Sequence, residues 1–497
     1  FAALLAQGCS WIPSVGPDYV PPTVSLPDRW RAMEERTTTA PESAFRSSWW
    51  SSFRDPVLDT LVQHAVEKNF SLEAARSRAR EARLIRAQVG GAFLPQVNLG
   101  GSYARIRRNL NTVLIPGANT GVDPVTGAGA INTRDPEQDL YDASFDSSWE
   151  IDIFGGLRRQ YEAAEASAEA AEESLRSAQI SLVAEVVRNY FEYLSLAKRV
   201  SIADKNLHAQ GESAQIVKAR FDAGLSSELD LAQANAQLET TRATVPALRA
   251  AWTASTNALA VLLAENPVSV SDVLRNTKQL TAESSIVDSL PREMSVGAPS
   301  EILRLRPDVR QAERQLAASS ALIGAAIGEL FPKVAITGSF GYQSIESSGF
   351  LDAANRVWRI GPGISVPLFA GGRLWNEVRV QRERNTQALK SYEETVVRAL
   401  AETDTAIAAF LRQHERFDAL AKALVASRRA LELSQDLYKQ GLVDFQRVLD
   451  SERATFAAED QLAQSENEII ASVARVYKAL GYGVELQQDE SSPSPQQ

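Results

Sequence analysis

The sequence predicts a mainly α-helical chain with a membrane β region, built by internal duplication. Three observations carry that reading. Two stretches, 157–222 and 373–440, run almost without proline or glycine and are rich in charge, a rod-forming composition. Four other segments alternate apolar and polar residues with a period of two, the mark of strands with one apolar and one wet face. The order of strands and rods occurs twice along the chain.

Composition narrows the function before any motif is considered. The chain has 497 residues, of which 44% are hydrophobic and 23% charged, enough apolar mass for a large core. Its net charge of −10 argues against nucleic acid as a partner, because phosphate binding needs clustered Lys and Arg. A single cysteine excludes an internal disulfide and a Cys-cluster metal site. His64, His208 and His414 lie far apart, so no histidine metal site is expected. No apolar run reaches the ~18 residues of a membrane-crossing helix, which leaves a lipid or β-strands as the route to a membrane.

Residues 1–8 have the apolar and small residues of a signal-peptide end, and Cys9 follows directly. That placement predicts a covalent lipid on Cys9 and no other cofactor. Ser10 in place of Asp agrees with sorting to an outer membrane. One acyl chain binds reversibly, so stable anchoring needs a further membrane element. Residues 9–52 carry Pro13, Pro17, Pro21, Pro22, Pro27 and Pro41 and are expected to form an extended tether.

The first repeat is assigned to 53–264. A helix over about 56–91 ends at Leu94-Pro95. A β-hairpin follows over 95–154, with a loop near 109–139. Its second strand is the clearest signal in the chain: Tyr141, Ala143, Phe145, Trp149, Ile151 and Ile153 alternate with Asp142, Ser144, Asp146, Ser148, Glu150 and Asp152. Its length suits the ~9–11 residues of a tilted membrane strand. The rod 157–222 would be roughly 100 Å long, too long and too charged for a bilayer. Ile180, Val183, Val187, Tyr190 and Leu194 follow a coiled-coil seam. A turn near Gly224 leads into a helix from Glu228 to about Leu263, with a kink expected at Pro246.

Residues 265–300 connect the halves, and 301–483 repeat the plan with a β-hairpin at 332–369 and a turn near Gly441. Phe93-Leu94-Pro95 matches Leu330-Phe331-Pro332, and Arg220 to Leu225 matches Leu437 to Leu442. In the second hairpin Val334, Ile336, Phe340 and Tyr342 face one way, as do Trp358, Ile360 and Ile364. A disordered tail is expected over 484–497. Four strands cannot close a membrane barrel, and lipid does not tolerate open edges. The chain must therefore oligomerise: two copies would give eight strands and a filled lumen, three would give twelve and room for passage. Both hairpins leave from and return to helices, so the helices lie on one side of the membrane, the side of Cys9.

Read in order, several motifs resemble the TolC-like family of bacterial outer-membrane efflux factors, in its lipoprotein (NodT-type) branch. They are Trp49-Trp50 with Phe53-Arg54-Asp55-Pro56, Trp149-Glu150-Ile151-Asp152-Ile153-Phe154-Gly155, Leu303-Arg304-Leu305-Arg306-Pro307-Asp308-Val309, Phe331-Pro332, Pro367-Leu368-Phe369 and Tyr477-Lys478-Ala479-Leu480-Gly481-Tyr482-Gly483. The resemblance covers about 48–482. It implies a homotrimer: a twelve-stranded barrel in the outer membrane on a long α-helical coiled-coil tunnel in the periplasm. It implies no catalysis and no metal. The partners it implies are outer-membrane lipid, a periplasmic adaptor protein and an inner-membrane RND transporter that supplies the energy for drug export.

The resemblance also assigns roles. The turns Gly224-Leu225 and Gly441-Leu442 would be adaptor-docking turns at the closed end, which opens like an iris. Of two acidic ring positions at the gate, this chain has Asp450 at one and Arg447 at the other. An arginine there would weaken a cation-binding ring or pair with Asp450 at i,i+3. Asp230 and Tyr438 match positions that latch neighbouring helices, and Val443 stands where the basic latch partner is usual. No P-loop, GxGxxG, GxSxG or HExxH is present, so no catalytic residues are expected. Two other readings compete. A coiled-coil spacer that conducts nothing would not need four strands with apolar faces. A duct for protein or soft-metal export is disfavoured by the lipoprotein Cys9 and by having only Met33 and Met294.

Overall fold

The computed structural model describes residues 14–24, 26–33, 48–107, 137–275, 296, 299–300 and 305–483. Cys9, the signal-peptide segment, most of the first loop and the 484–497 tail lie outside the described residues. The helices are α1 Pro56–Lys68, α2 Phe70–Gly90, α3 Gly156–Asp222, α4 Glu228–Leu263, α5 Pro267–Arg275, α6 Pro307–Gly328, α7 Arg373–Lys439 and α8 Phe445–Ala479. The strands are β1 Gln96–Arg107, β2 Glu137–Ile151, β3 Lys333–Ser344 and β4 Arg356–Ser365. No described helix is long and apolar enough to cross a membrane, a statement that does not touch the strands.

Local chemistry explains the boundaries. The Asp55 carboxylate accepts from the Val57 and Leu58 amides at 2.9 and 3.4 Å and caps α1, with Pro56 at the first helical position. The single helix expected over 56–91 is broken at Asn69, which leaves the helical region at ψ 124°. The Asn69 side chain accepts from the Leu72 amide at 3.0 Å and donates to the Leu262 carbonyl at 2.9 Å. Neither Pro nor Gly marks that break; an asparagine that can cap one helix and tie another makes it. The rods α3 and α7 are each one uninterrupted helix of 67 residues, about 100 Å long. Helix α4 continues through Pro246.

The four strands form one antiparallel sheet in the order β1-β2-β3-β4. Register decides its faces. Leu99, Phe145, Phe340 and Trp358 stand in one row across all four strands, each 49–70% exposed. The next row, Asn98, Asp146, Ser339 and Arg359, points to the other face. Val97 and Ile360, Trp149 and Ile336, and Ile151, Val334 and Ile364 extend the apolar face. Ser102, Asp142 and Gln343 extend the polar one. Opposite Ser144, Gly341 is required: a Cβ there would lie 2.3 Å from the Ala143 carbonyl. Among the described residues β1 and β4 each pair on one side only.

The chain divides into two compact units. One comprises the described parts of Phe1–Pro21, Glu81–Ala168 and Arg314–Leu389, and includes the sheet. In it residues 15–18 lie against helix ends. The Val15 amide donates to the Phe154 carbonyl at 3.0 Å, and buried Arg159 donates to the Val15 carbonyl at 3.1 Å and to Asp18 at 2.6 Å. Gly16, at φ +94°, meets Gly324 so closely that a Cβ on either would clash with backbone.

The other unit comprises Pro22–Arg80, Glu169–Glu313 and Lys390–Gln497 in their described parts. Its core gathers Trp30, Trp49, Phe53, Leu58, Tyr190, Phe191, Phe410, Ile469, Ile470 and Leu480. Trp49 stacks on Tyr477 with ring centroids 4.9 Å apart. The Trp49-Trp50 and Tyr477 motifs are thus two halves of one aromatic contact, joined by packing across more than four hundred residues of sequence. Arg306, from the third motif, is also buried. It donates to Asp308, Glu402 and the Ala479 carbonyl at 2.7–2.9 Å and so ties α6, α7 and the end of α8 together.

Candidate gate, docking and anchoring sites

Both helical hairpins end in the same closure. Gly224 and Gly441 each have φ +75°, and the following amides of Leu225 and Leu442 donate back to Arg220 and Leu437 carbonyls at 2.7 and 2.9 Å. In such a turn the residue after glycine usually packs on the preceding helix. Here Leu225 is 69% and Leu442 67% exposed. The two turns therefore present a matched pair of unpacked leucines.

Beneath the turns the ends of four helices converge. Ala214 and Val217 of α3, Ala234 of α4, Tyr438 of α7 and Phe445, Val448 and Leu449 of α8 form a separate small core. The Arg220 guanidinium stacks 4.7 Å from the centre of the Tyr438 ring and donates to its carbonyl at 3.3 Å. The Tyr438 hydroxyl is buried and makes no hydrogen bond among the described residues.

Asp230 and Tyr438 are not hydrogen-bonded to each other within the chain. Asp230 occupies the third position of α4 in a reciprocal cap: its amide donates to the Ser227 hydroxyl at 3.1 Å, and its carboxylate accepts from the Ser226 hydroxyl and Ser227 amide at 2.9 and 3.2 Å. Burial acts to raise this carboxyl, but those hydrogen bonds outweigh it and hold it below the usual carboxylate range. The corresponding position in α8 is Arg447, whose amide donates to the capping Asp444 at 3.2 Å.

Arg447 and Asp450 line one groove of about 460 Å³ with Leu433, Leu437 and Val443. The i,i+3 pair between them, one of the two expected consequences of an arginine at this place, is not formed. Asp450 accepts from Gln446 at 2.9 Å, and Arg453 lies 3.9 Å from it. The reason is directional. Helical side chains lean toward the N-terminus, so Arg453 reaches back to Asp450 while Arg447 leans away from it. Asp450 is thus exposed and only weakly neutralised.

The pattern-based reading missed a buried polar seam between α3 and α8. Lys198 donates to Glu466 at 2.6 Å, with 7% and 8% of the two side chains exposed. Arg199 pairs with Asp460 at 2.7 Å, and Ser213 donates to Glu452 at 2.7 Å. These partners lie more than 230 residues apart, so no local spacing in the sequence pointed to them. Among the described residues no group of three or more His, Cys, Asp or Glu is placed to hold a metal ion.

A four-stranded sheet with one apolar face and two open edges, in a chain that also has two 67-residue helices, fits a subunit of a membrane channel. The comparisons agree. The family model described as "Outer membrane efflux protein" matches residues 61–265 and 298–482, and the chain belongs to that family. It is an outer-membrane efflux channel protein and not an enzyme. Among curated relatives it is 27% identical over 488 residues to Nodulation protein T of Rhizobium leguminosarum bv. trifolii, covering 97% of this chain and 96% of that protein. It is 29% identical over 487 residues to the toluene efflux pump outer membrane protein TtgF of Pseudomonas putida, covering 96% and 94%. Among solved structures it is similar to the outer-membrane channel OprN, with 35% identity, a TM-score of 0.82, and coverage of 94% of this chain and 99% of that one.

Proposed function

We propose that three copies of this chain form a gated exit duct, the outer-membrane part of a tripartite RND-type pump that exports drugs or other small molecules. The observation that carries this is the sheet: four strands share one apolar and one polar face, and β1 and β4 have unpaired edges. Edge-to-edge pairing of three such sheets gives twelve strands, an apolar outside, and a lumen lined by Asp142, Asp146 and Arg359. The duct is passive, because no energy-coupling site is needed in it; an inner-membrane transporter works through a periplasmic adaptor.

The exposed Leu225 and Leu442 are the natural contacts for that adaptor, since two equivalent apolar tips per chain suit a ring-shaped partner. Asp450, exposed in its groove, faces the gate and binds cations there, and movement of the α7–α8 ends opens it. A lipid on Cys9 adds anchorage to that of the barrel. The test is single-channel recording of the purified protein in a planar bilayer. A small, mostly closed conductance that widens in Asp450→Ala and loses cation block supports the gate. Conductance and cation block unchanged in the variant would remove Asp450 from it.

A further inference from the structure

The two helical hairpins coincide under one constant shift of 217 positions. It carries α3 Gly156–Asp222 onto α7 Arg373–Lys439, the capping Ser227 onto Asp444, and the start of α4 onto that of α8. Within the chain α3 is closed by α8 through polar rungs: Glu192 with Asn467, Lys198 with Glu466, Arg199 with Asp460, Asn206 with Glu459 and Ser213 with Glu452. The α3 positions 192, 199, 206 and 213 recur every seven residues, the interval of a left-handed coiled coil, and the two helices run antiparallel. All ten residues are buried or half-buried.

The same shift maps the α3 positions onto Ala409, Glu415, Arg416, Ala423 and Ala430 of α7, and the α8 positions onto Ala250, Arg249, Ala243, Arg242 and Asn235 of α4. All but Ala409 are exposed. Around them α7 presents Ala419, Ala423, Ala426, Ala430, Leu433 and Leu437, all exposed, in unbroken 4-3 spacing. On α4, exposed Ala232, Ala236, Ala243 and Ala250 keep the same heptad register. Two small-residue seams with coiled-coil spacing thus lie open, one the repeat image of α3 and the other of α8. The buried pair Lys198–Glu466 maps onto Glu415 and Arg249, with both signs reversed and the attraction kept. Within one chain these two do not meet: Glu415 pairs with Arg412 on its own helix at 3.0 Å, and Arg249 with Asp204 of α3 at 3.2 Å.

We propose that α7 of one copy packs antiparallel on α4 of the next copy, in the register that α3 takes on α8, with Glu415 paired to Arg249 of the partner subunit. The occupant is a second copy because this surface is the duplicated image of a contact the chain makes with itself. The inference rests on the reading that copies assemble in a ring, and it supplies the register of that ring's helical wall.

The test uses the full chain in detergent. Glu415→Arg and Arg249→Glu are each expected to lower the oligomeric fraction several-fold, and the double reversal to recover part of the loss, since Arg412 and Asp204 then face like charges within each chain, with helicity by circular dichroism unchanged throughout. As an arm independent of charge, Ala409→Cys combined with Ala250→Cys is expected to give inter-chain bands with a short bis-maleimide that the parent chain, bearing only Cys9, does not give. A wild-type oligomer indifferent to both reversals and lacking the cross-link would overturn this register alone. A monomeric wild type would overturn the assembly reading and the register with it.

Discussion

Lys198 of α3 donates to Glu466 of α8 at 2.6 Å inside the helical unit, and both side chains are more than nine-tenths buried. Removing one partner leaves the other charge without water or a counter-ion. Lys198→Met is therefore expected to cost about 3–5 kcal/mol, whereas Lys198→Met with Glu466→Leu recovers most of it. Thermal unfolding followed by circular dichroism checks this; a double variant as unstable as the single one would show that packing, not charge, holds the seam.

Glu452 lies on the same seam, and burial pushes its carboxyl above the ordinary value, against hydrogen bonds from Ser213 and Gln435 that act to lower it. A folded-state value raised above the unfolded one contributes stability that is full below the unfolded value and is lost as pH rises through the folded one. Glu452→Gln is thus expected to melt higher than wild type at pH 7–8. The difference should vanish as pH falls below about 4, where the unfolded carboxyl also takes up its proton. Melting curves of wild type and Glu452→Gln across that range test the sign, and a variant less stable at pH 8 would contradict it.

Gly324 faces the Val15 carbonyl and the Arg159 side chain, and a Cβ there would lie 2.8 Å from both. Gly324→Ala is expected to lift the 14–21 segment from its bed and to cost about 1–3 kcal/mol. Limited chymotrypsin digestion reads this directly: cleavage after Tyr19 should accelerate. Unchanged cleavage would mean that the segment is held elsewhere.

Variants at the exposed turn leucines test the proposed docking separately from conduction. Leu442→Glu and Leu225→Glu place a charge on a contact that is already solvent-exposed in the free chain, so stability should shift by less than about 0.5 kcal/mol. Efflux in cells should fall while bilayer conductance persists. Loss of both together would indicate a damaged fold instead.

Much of this architecture was legible in residue patterns, for physical reasons that name their own limits. Phe145, Phe340 and Trp358 declared their common face because strand side chains alternate with period two, and cross-strand register then aligned them with Leu99. The rods showed in the near absence of helix breakers, with Gly211 alone over 157–222 and none over 373–440. The break at Asn69 did not show, since asparagine is also found within helices and its role here depends on the distant Leu262 carbonyl. The Arg306 and Lys198 contacts were hidden for the same reason: their partners are set by packing, not by spacing. At the candidate gate, the family resemblance singled out Arg447 and Asp450, but the tilt of helical side chains brings Arg453 toward the carboxylate instead.

The proposed duct requires several copies of this chain to enclose one pore. The most direct measurement is the mass of the detergent-purified oligomer, taken together with its planar-bilayer conductance. Three times the 54.2 kDa of the chain with discrete conductance steps is the predicted result. A monomer or dimer, which would leave four or eight strands and no open lumen, or a trimer that passes no current, would contradict it.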